Sequence, residues 1–239
     1  GLACHHVAVD PLNPTGFQLK SREEAGADPQ VEYFRRGSAA SHLSIDAIHP
    51  TLLQARHLHA TGIPPALSDA TRALSFELMT QMRKAGRSVS FDPNLRPSLW
   101  ASQAQMIREI NALAALADWV LPGLGEGRLL TGFDDPEDIA AFYLDQGAEA
   151  VAIKLGAEGA YYRTHMDQGF VAAVPVAKVV DTVGAGDGFA VGMISALLEN
   201  LSFPEAVQRG NWIGSRAVQS RGDMEGLPTR AELPTRSVA

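Results

Sequence analysis

The sequence predicts an α/β domain built on a mostly parallel sheet. Three observations predict it. From residue 56 onward, short apolar runs alternate with longer stretches of helical spacing, the order expected of βαβ units. The 239 residues suffice for one sizeable core, and length alone favours one large domain over two small ones. Hydrophobic residues make up 46% and charged residues 20%, the balance of an ordinary globular chain.

The elements follow in order. Residues 7–46 are β-rich and turn-rich. Segments 17–20 and 31–34 are short candidate strands, and the charged stretch 22–30, with Gly26 and Pro29, suits an exposed hairpin loop. A strand is expected over 57–61. A helix follows over 69–85, with Leu74, Phe76, Leu78 and Met82 among its apolar positions. Strands at 88–92, 119–121 and 151–155 alternate with helices at 103–116 and 136–146. The apolar run 174–180 is strand-like. It leads into a helix opened by glycines over 184–198, and a last helix covers 204–219. The polar end, 228–239, is expected to fray. There is no internal repeat and no low-complexity tract.

Composition narrows function. The formal charge of −7 gives no cationic surplus for neutralising phosphates, which argues against nucleic-acid binding. One cysteine, Cys4, rules out an intrachain disulfide and points to a reducing cytoplasm. No apolar run approaches the length of a membrane span, and no signal peptide is visible. The histidines at 5, 6, 42, 49, 57 and 59 are scattered and lack the spacing of a metal-ligand set. No G-x-G-x-x-G follows the first strand with an acid about 20 residues on, which excludes a dinucleotide-dependent dehydrogenase.

The most informative stretch is D-T-V-G-A-G-D-G-F-A over 181–190. Gly184 and Gly186 leave backbone N–H groups uncovered at a helix start, where those groups and the helix dipole favour an anion. Asp187 sits in the first turn beside that position. A carboxylate there can take a proton from a hydroxyl while N–H groups hold a transferring phosphoryl group. An acid beside a phosphate site repels it, so the placement argues for catalysis. A bare Gly-x-Gly pair would also fit an ordinary helix start, with Asp187 as a stabilising N-terminal acid.

The full run resembles the C-terminal signature of the ribokinase-like (PfkB) family, D-T-x-G-A-G-D-x-F. The resemblance extends over nearly the whole chain, from Pro14 to about Leu233. It implies a doubly wound α/β domain spanning 1–239, with a small β lid over about 14–40. It also implies transfer of the ATP γ-phosphoryl group to a sugar hydroxyl with magnesium. Asp187 would be the base, and Gly184, Ala185 and Gly186 the anion hole. Lys154-Leu155-Gly156-Ala157-Glu158-Gly159-Ala160 resembles the family's nucleotide loop, with Gly156 and Gly159 letting the backbone approach ATP. An ordinary strand-to-hairpin turn fits those residues equally well. Asn211 matches a family position near the nucleotide, although an Asn in a helix is also at home as a structural residue. The family's Asn-x-x-Glu appears here as Gly123-Leu124-Gly125-Glu126, which keeps Glu126 for indirect magnesium handling and loses the Asn. A monovalent ion, potassium, is implied beside Asp181.

Two further segments narrow the substrate. Tyr33-Phe34-Arg35-Arg36-Gly37-Ser38-Ala39-Ala40-Ser41 and Asp92-Pro93-Asn94-Leu95-Arg96-Pro97-Ser98-Leu99-Trp100 resemble Y-x-R-x-G-S-A-A-S and D-x-N-x-R-x-x-L-W of the 2-keto-3-deoxygluconate kinases. A guanidinium fork binds a carboxylate through two parallel hydrogen bonds. Tyr33, Arg35 and Arg96 are therefore implied at a sugar acid, and Asn94 at the nucleotide. Arg35 and Arg36 could instead be solvated lid charges, and Arg96 could pair with Asp92. Gln18 stands where those kinases usually carry a tyrosine, so another sugar acid could be preferred.

The alternatives are a kinase for ribose, fructose or 5-dehydro-2-deoxygluconate, or a non-catalytic sugar or nucleotide sensor on the same fold. Family members open with a Gly-Glu strand and a Gly-Gly-x-x-x-Asn segment, neither of which is present. With Gly1 in place of an initiator Met, the expectation is that the natural protein has residues before Gly1. Lid strands in this family often pair between subunits, so a homo-oligomer is expected. Its small-molecule partners would be a sugar acid and ATP.

Overall fold

The computed structural model describes residues 4, 6–21, 31–222 and 224–233. The loop expected over 22–30, His5 and the last six residues lie outside them. The elements are β1 (Phe17–Lys20), β2 (Val31–Phe34), β3 (His57–Thr61), α1 (Pro64–Leu67), α2 (Asp69–Lys84), β4 (Ser88–Asp92), α3 (Gln103–Ala114), β5 (Trp119–Val120), α4 (Leu124–Thr131), α5 (Pro136–Asp145), β6 (Ala150–Lys154), β7 (Gly159–Thr164), β8 (Gln168–Ala172), α6 (Ala185–Leu198) and α7 (Phe203–Ala217). The α/β class read from the sequence is the one observed. The chain divides into two compact units. The first holds residues 1–20, 31–120 and 145–148; the second holds 21–30, 121–144 and 149–239.

In the first unit, β3, β4 and β5 run parallel in that order. Val89 and Phe91 of β4 are fully buried, as are Met106, Ile110 and Leu113 of α3 and, almost completely, Met79 and Met82 of α2. These spacings explain why the alternating pattern was legible: each helix turns one apolar face to the core. α2 starts where Ser68 and Thr71 cap one another, the Ser68 hydroxyl accepting from the Thr71 N–H at 3.1 Å. Asp118 accepts from the Val89 N–H at 2.7 Å and pins the start of β4. β1 and β2 form a separate antiparallel pair in which Gln18 lies opposite Tyr33 and Phe17 opposite Phe34. Phe17 and Phe34 stack at 4.7 Å and are largely exposed.

One face of β3 and β4 carries a polar row. His57 Nδ1 lies 2.9 Å from Ser88 Oγ, and its Nε2 lies 2.8 Å from Ser90 Oγ, which also meets His59 Nδ1. The His57 ring stacks on Trp119. Burial, then the neighbouring His59, pushes the His57 pKa down from 6.5 to about 4. Its folded pKa therefore lies below its unfolded one. The unfolded chain binds the extra proton, so this contribution to stability is complete above pH 6.5 and is lost as pH falls towards 4. The ring is only partly sheltered from solvent, so screening reduces the effect to about 1–2 kcal/mol. Urea midpoints between pH 7 and 4.5 should fall accordingly. His57→Gln should flatten that slope, and an unchanged slope would assign the acid sensitivity elsewhere.

In the second unit, β6, β7 and β8 form an antiparallel run. Their core is shared by Leu121, Ala152, Tyr162, Phe189, Met193 and Val207. The alternation reading gives no strands between Leu155 and Val174, yet β7 and β8 lie there. A tight turn joins them, with the Thr164 hydroxyl accepting from the Asp167 N–H at 2.9 Å. The strand expected over 174–180 is not formed. Pro175 lacks an N–H, and at the far end Val180 and Asp181 donate to the Val218 carbonyl beyond α7 instead of to a sheet.

α6 and α7 pack backbone to backbone. A Cβ on Gly192 would stand 2.7 Å from the Arg209 carbonyl oxygen, and one on Gly210 would stand 2.9 Å from the Phe189 ring. Gly192→Ala must separate the helices, at an expected cost of about 1–3 kcal/mol. A drop in the urea midpoint would register it. An unchanged midpoint would mean that this crossing does not constrain α6.

Candidate active site

In the second unit, β6 delivers Lys154 at its C-terminal end. The Lys154 N–H donates to the Pro122 carbonyl at 2.9 Å, and Lys154 bridges Gly123 in parallel. Buried Asp181 accepts from the Val183 N–H at 3.0 Å, an Asx-type turn that steers the chain into α6. Gly184 takes φ +82°, the left-handed region a glycine enters without strain. The Ala185 N–H is spent on the Thr182 carbonyl at 3.3 Å, and the Gly188 N–H makes the first helical bond to Gly184 at 2.8 Å. Among the described residues, the N–H groups of Gly184, Gly186 and Asp187 at the start of α6 have no backbone acceptor. Gly184 and Gly186 belong to the set implied by the sequence signature, and Asp187 adds a further donor. The Asp187 side chain is exposed, and the Lys154 ammonium lies 3.6 Å from where a Cβ on Gly186 would be.

The other implied nucleotide and metal residues are placed as follows. Gly156, at φ +62°, stands in an exposed turn with open space above it. Gly159 has a packing reason of its own: a Cβ there would collide with the Val171 carbonyl oxygen and lie 2.6 Å from the Ala173 nitrogen. The segment 154–160 forms a strand-to-hairpin turn, a geometry compatible with either reading of its glycines. Asn211 is buried, and its amide donates to the carbonyls of Val171 and Ala172 at 2.9 and 3.1 Å, which ties α7 to β8. Glu126 accepts from the Gly123 N–H at 2.8 Å, capping α4. Its charge lies near Tyr143, whose pKa is pushed up first by burial and then by Glu126.

In the first unit, Gln18, Tyr33, Arg35, Ser38 and His42 line a cavity of about 1030 Å³. The Arg35 guanidinium lies 3.8 Å over the Tyr33 ring, and that of Arg96 lies 5.9 Å from the same ring. Burial is the main influence lowering the Arg35 pKa; Tyr33 opposes it, and the Arg96 charge adds to the lowering. Two guanidiniums beside one ring have the chemistry to bind an anion with two or more oxygens. Arg96 is set by its own loop. Asp92 accepts from the Asn94 N–H at 3.1 Å, Asn94 takes φ +37°, and Arg96 donates back to the carbonyls of Asn94 and Leu95 at 3.3 and 2.8 Å. That loop follows the C-terminal end of β4, where open α/β sheets place their ligands.

The pfkB family carbohydrate kinase pattern matches residues 1–230. A 2-dehydro-3-deoxygluconokinase of Bacillus subtilis (strain 168) is 57% identical over 222 residues, which cover 92% of this chain and 68% of that protein. The chain belongs to the pfkB family of carbohydrate kinases. The crystal structure of the PfkB protein from Polaromonas sp. JS666 matches this PfkB kinase with a TM-score of 0.86 and 56% identity, over 96% of this chain and 74% of that one. The fructokinase of Vibrio cholerae O395, solved with fructose, ADP and calcium, matches with a TM-score of 0.85 and 29% identity, over 96% and 75%. No helix of the PfkB kinase, among the described residues, is long and apolar enough to cross a membrane.

Sequence reasoning missed two features of the PfkB kinase. The Asp187 N–H lies before the first helical bond, Gly188 to Gly184, and is a donor that the signature does not mark. His42 lines the cavity with its Nδ1 held 3.1 Å from the Ser38 carbonyl, and no motif marks it.

Proposed function

We propose that this kinase transfers the γ-phosphoryl group of ATP to the terminal hydroxyl of 2-keto-3-deoxygluconate. The observation that carries the substrate class is the convergence of Arg35 and Arg96 on Tyr33. A neutral sugar gives two adjacent guanidiniums nothing to neutralise, whereas the carboxylate of a sugar acid accepts from both. The activity named for the Bacillus subtilis relative agrees with that chemistry. Gln18, opposite Tyr33 in the lid, offers an amide to a substrate hydroxyl or carbonyl.

Asp187 takes the proton of the attacking hydroxyl as the new P–O bond forms. The bond from the γ-phosphorus to the bridging oxygen breaks, and its electron pair leaves on ADP. The N–H groups of Gly186 and Asp187 donate to the phosphoryl oxygens as their charge grows. A magnesium ion would be held mainly by the phosphates of ATP and by water. Glu126, already bonded to the Gly123 N–H, would reach that ion through water. Bound there, magnesium would supply charge neutralisation on the phosphates. The strands β1 and β2 act as the lid that excludes water, and their exposed Phe17–Phe34 face would pair with a second copy of the chain. ATP dependence puts the enzyme in the cytoplasm.

The test is ADP release from ATP and magnesium with 2-keto-3-deoxygluconate, 5-dehydro-2-deoxygluconate, ribose and fructose. Turnover confined to the acids supports the proposal. Turnover with neutral sugars alone would keep the kinase and discard the acid site. Binding of sugar or ATP without turnover would favour a sensor on the same fold.

A further inference from the structure

We propose that Arg72 is a positioning residue for the sugar-acid site: its guanidinium clamps Trp100 and, through it, the turn that carries Arg96. The proposal rests on the acid reading of Arg35 and Arg96 and adds a residue that acts through another.

The segment 93–100 leaves the end of β4 and is held at two points. At its front, the Gly62 N–H donates to the Asp92 carbonyl at 3.0 Å, and Asp92 accepts from the Asn94 N–H. At its rear is a single turn. The Leu99 N–H donates to the Arg96 carbonyl at 3.0 Å, and the Trp100 N–H to the Pro97 carbonyl at 3.1 Å. Arg96 opens the turn that Trp100 closes. Trp100 is only 9% exposed, and its indole N–H is buried without a hydrogen-bond partner. A dry donor costs folding free energy, and no hydrogen bond fixes the ring. A cation lies over it instead: the Arg72 Cζ stands 5.1 Å from the ring centroid, within cation–π range. Arg72 is itself pinned. Its Nε donates to the Pro65 carbonyl of α1 at 3.1 Å and its Nη1 to the Asp69 carboxylate at 2.8 Å. The Arg72 side chain is 18% exposed, whereas that of Asp69 is 96% exposed, so the ion pair contributes little. A cation near the start of α2 also faces the positive end of the helix dipole. The helix end and the ion pair therefore give little reason for an arginine here. The Trp100 contact supplies one, because any movement of that ring shifts the turn. The turn sets where the Arg96 guanidinium meets Tyr33, and a fork binds a carboxylate only in register.

The competing explanation is structural, with Arg72 tying α1 to α2 through Pro65. Arg72→Met, Arg96→Met and their double variant separate the two in the full chain, with 2-keto-3-deoxygluconate as substrate. Arg72→Met should raise the KM for the acid about tenfold and change kcat far less, since a fork held out of register loses binding. Arg72→Lys keeps a cation for the ring and should recover part of that loss. In the Arg96→Met background, Arg72→Met should raise KM no further, because its effect passes through Arg96. A tie between helices would lower Tm and leave KM alone, or add its full effect in both backgrounds. Either result overturns the proposal. Amide exchange gives a readout that needs no substrate. In Arg72→Met the Leu99 and Trp100 amides should exchange at least tenfold faster, beyond any change in the amides of β4. Unchanged exchange at the turn, or equal acceleration everywhere, sinks the assignment. Faster exchange confined to the turn, in a chain whose wild type turns over no sugar acid, would keep Arg72 as the clamp and discard the acid reading.

Discussion

Asp187→Asn should lower kcat about 10³-fold and leave the fold intact. The side chain stands exposed in the first turn of α6, where its charge helps the helix dipole by only about 0.3–1 kcal/mol. Asn keeps the size and polarity of the side chain at that position, so the urea midpoint should move by less than about 1 kcal/mol. Catalysis responds differently. Asn cannot accept a proton, and positioned bases contribute about 10²- to 10⁴-fold. The KM for ATP should stay level or fall, because the substitution removes a negative charge beside incoming phosphates. A drop in kcat with ATP binding retained is the signature of an interaction made only in the transition state. Steady-state ADP release on the purified variant, beside its urea denaturation curve, measures both. A kcat within tenfold of wild type would remove Asp187 from the role of base.

The parts legible in the sequence share one property: their reason is local. The 69–85 pattern, with Leu74, Phe76, Leu78 and Met82 among its apolar positions, predicts α2, although of those only Met82 is buried and Met79 and Thr71 join it. The run over 181–190 announces a glycine-opened helix with an acid in its first turn, and α6 has that form. What the sequence hides depends on partners distant along the chain. Gly125 and Gly127 obscure α4, although Gly127 is bare because a Cβ there would stand 2.7 Å from Ile139 of α5. Gly159 suggests a phosphate loop, yet its space is taken by β8. Asn211 resembles a nucleotide contact, while its amide donors hold two β8 carbonyls and leave only its oxygen for any other partner. The site divides in the same way. Arginines 35 and 96 stand out as residue types suited to an acid, but their meeting over Tyr33 joins segments some sixty residues apart.

Arg35→Met should lower kcat/KM for the sugar acid about 10²-fold and leave any neutral-sugar turnover within about threefold. Charge-assisted hydrogen bonds to a carboxylate contribute about 1.5–3 kcal/mol each, which sets the lower effect near tenfold and the upper near 150-fold. Arg96→Met should show a similar kinetic loss with an added cost in stability of about 1 kcal/mol, since Arg96 also holds the carbonyls of Asn94 and Leu95. That difference makes Arg35 the cleaner probe. Arginine-to-lysine changes should recover the charge without the fork, giving intermediate values. The two positions should also couple. Removing either arginine relieves the repulsion that the other feels, so the double variant should lose less than the sum of the single losses, by about 0.5–3 kcal/mol. Steady-state kinetics with an acid and a neutral sugar through the full double-mutant cycle supplies all of these values. Equal losses for acid and neutral substrates would mean that the arginines shape the Tyr33 lid and do not read a carboxylate. A loss confined to the acid would assign substrate choice to a charge pair that the apo protein holds under mutual repulsion until a carboxylate arrives.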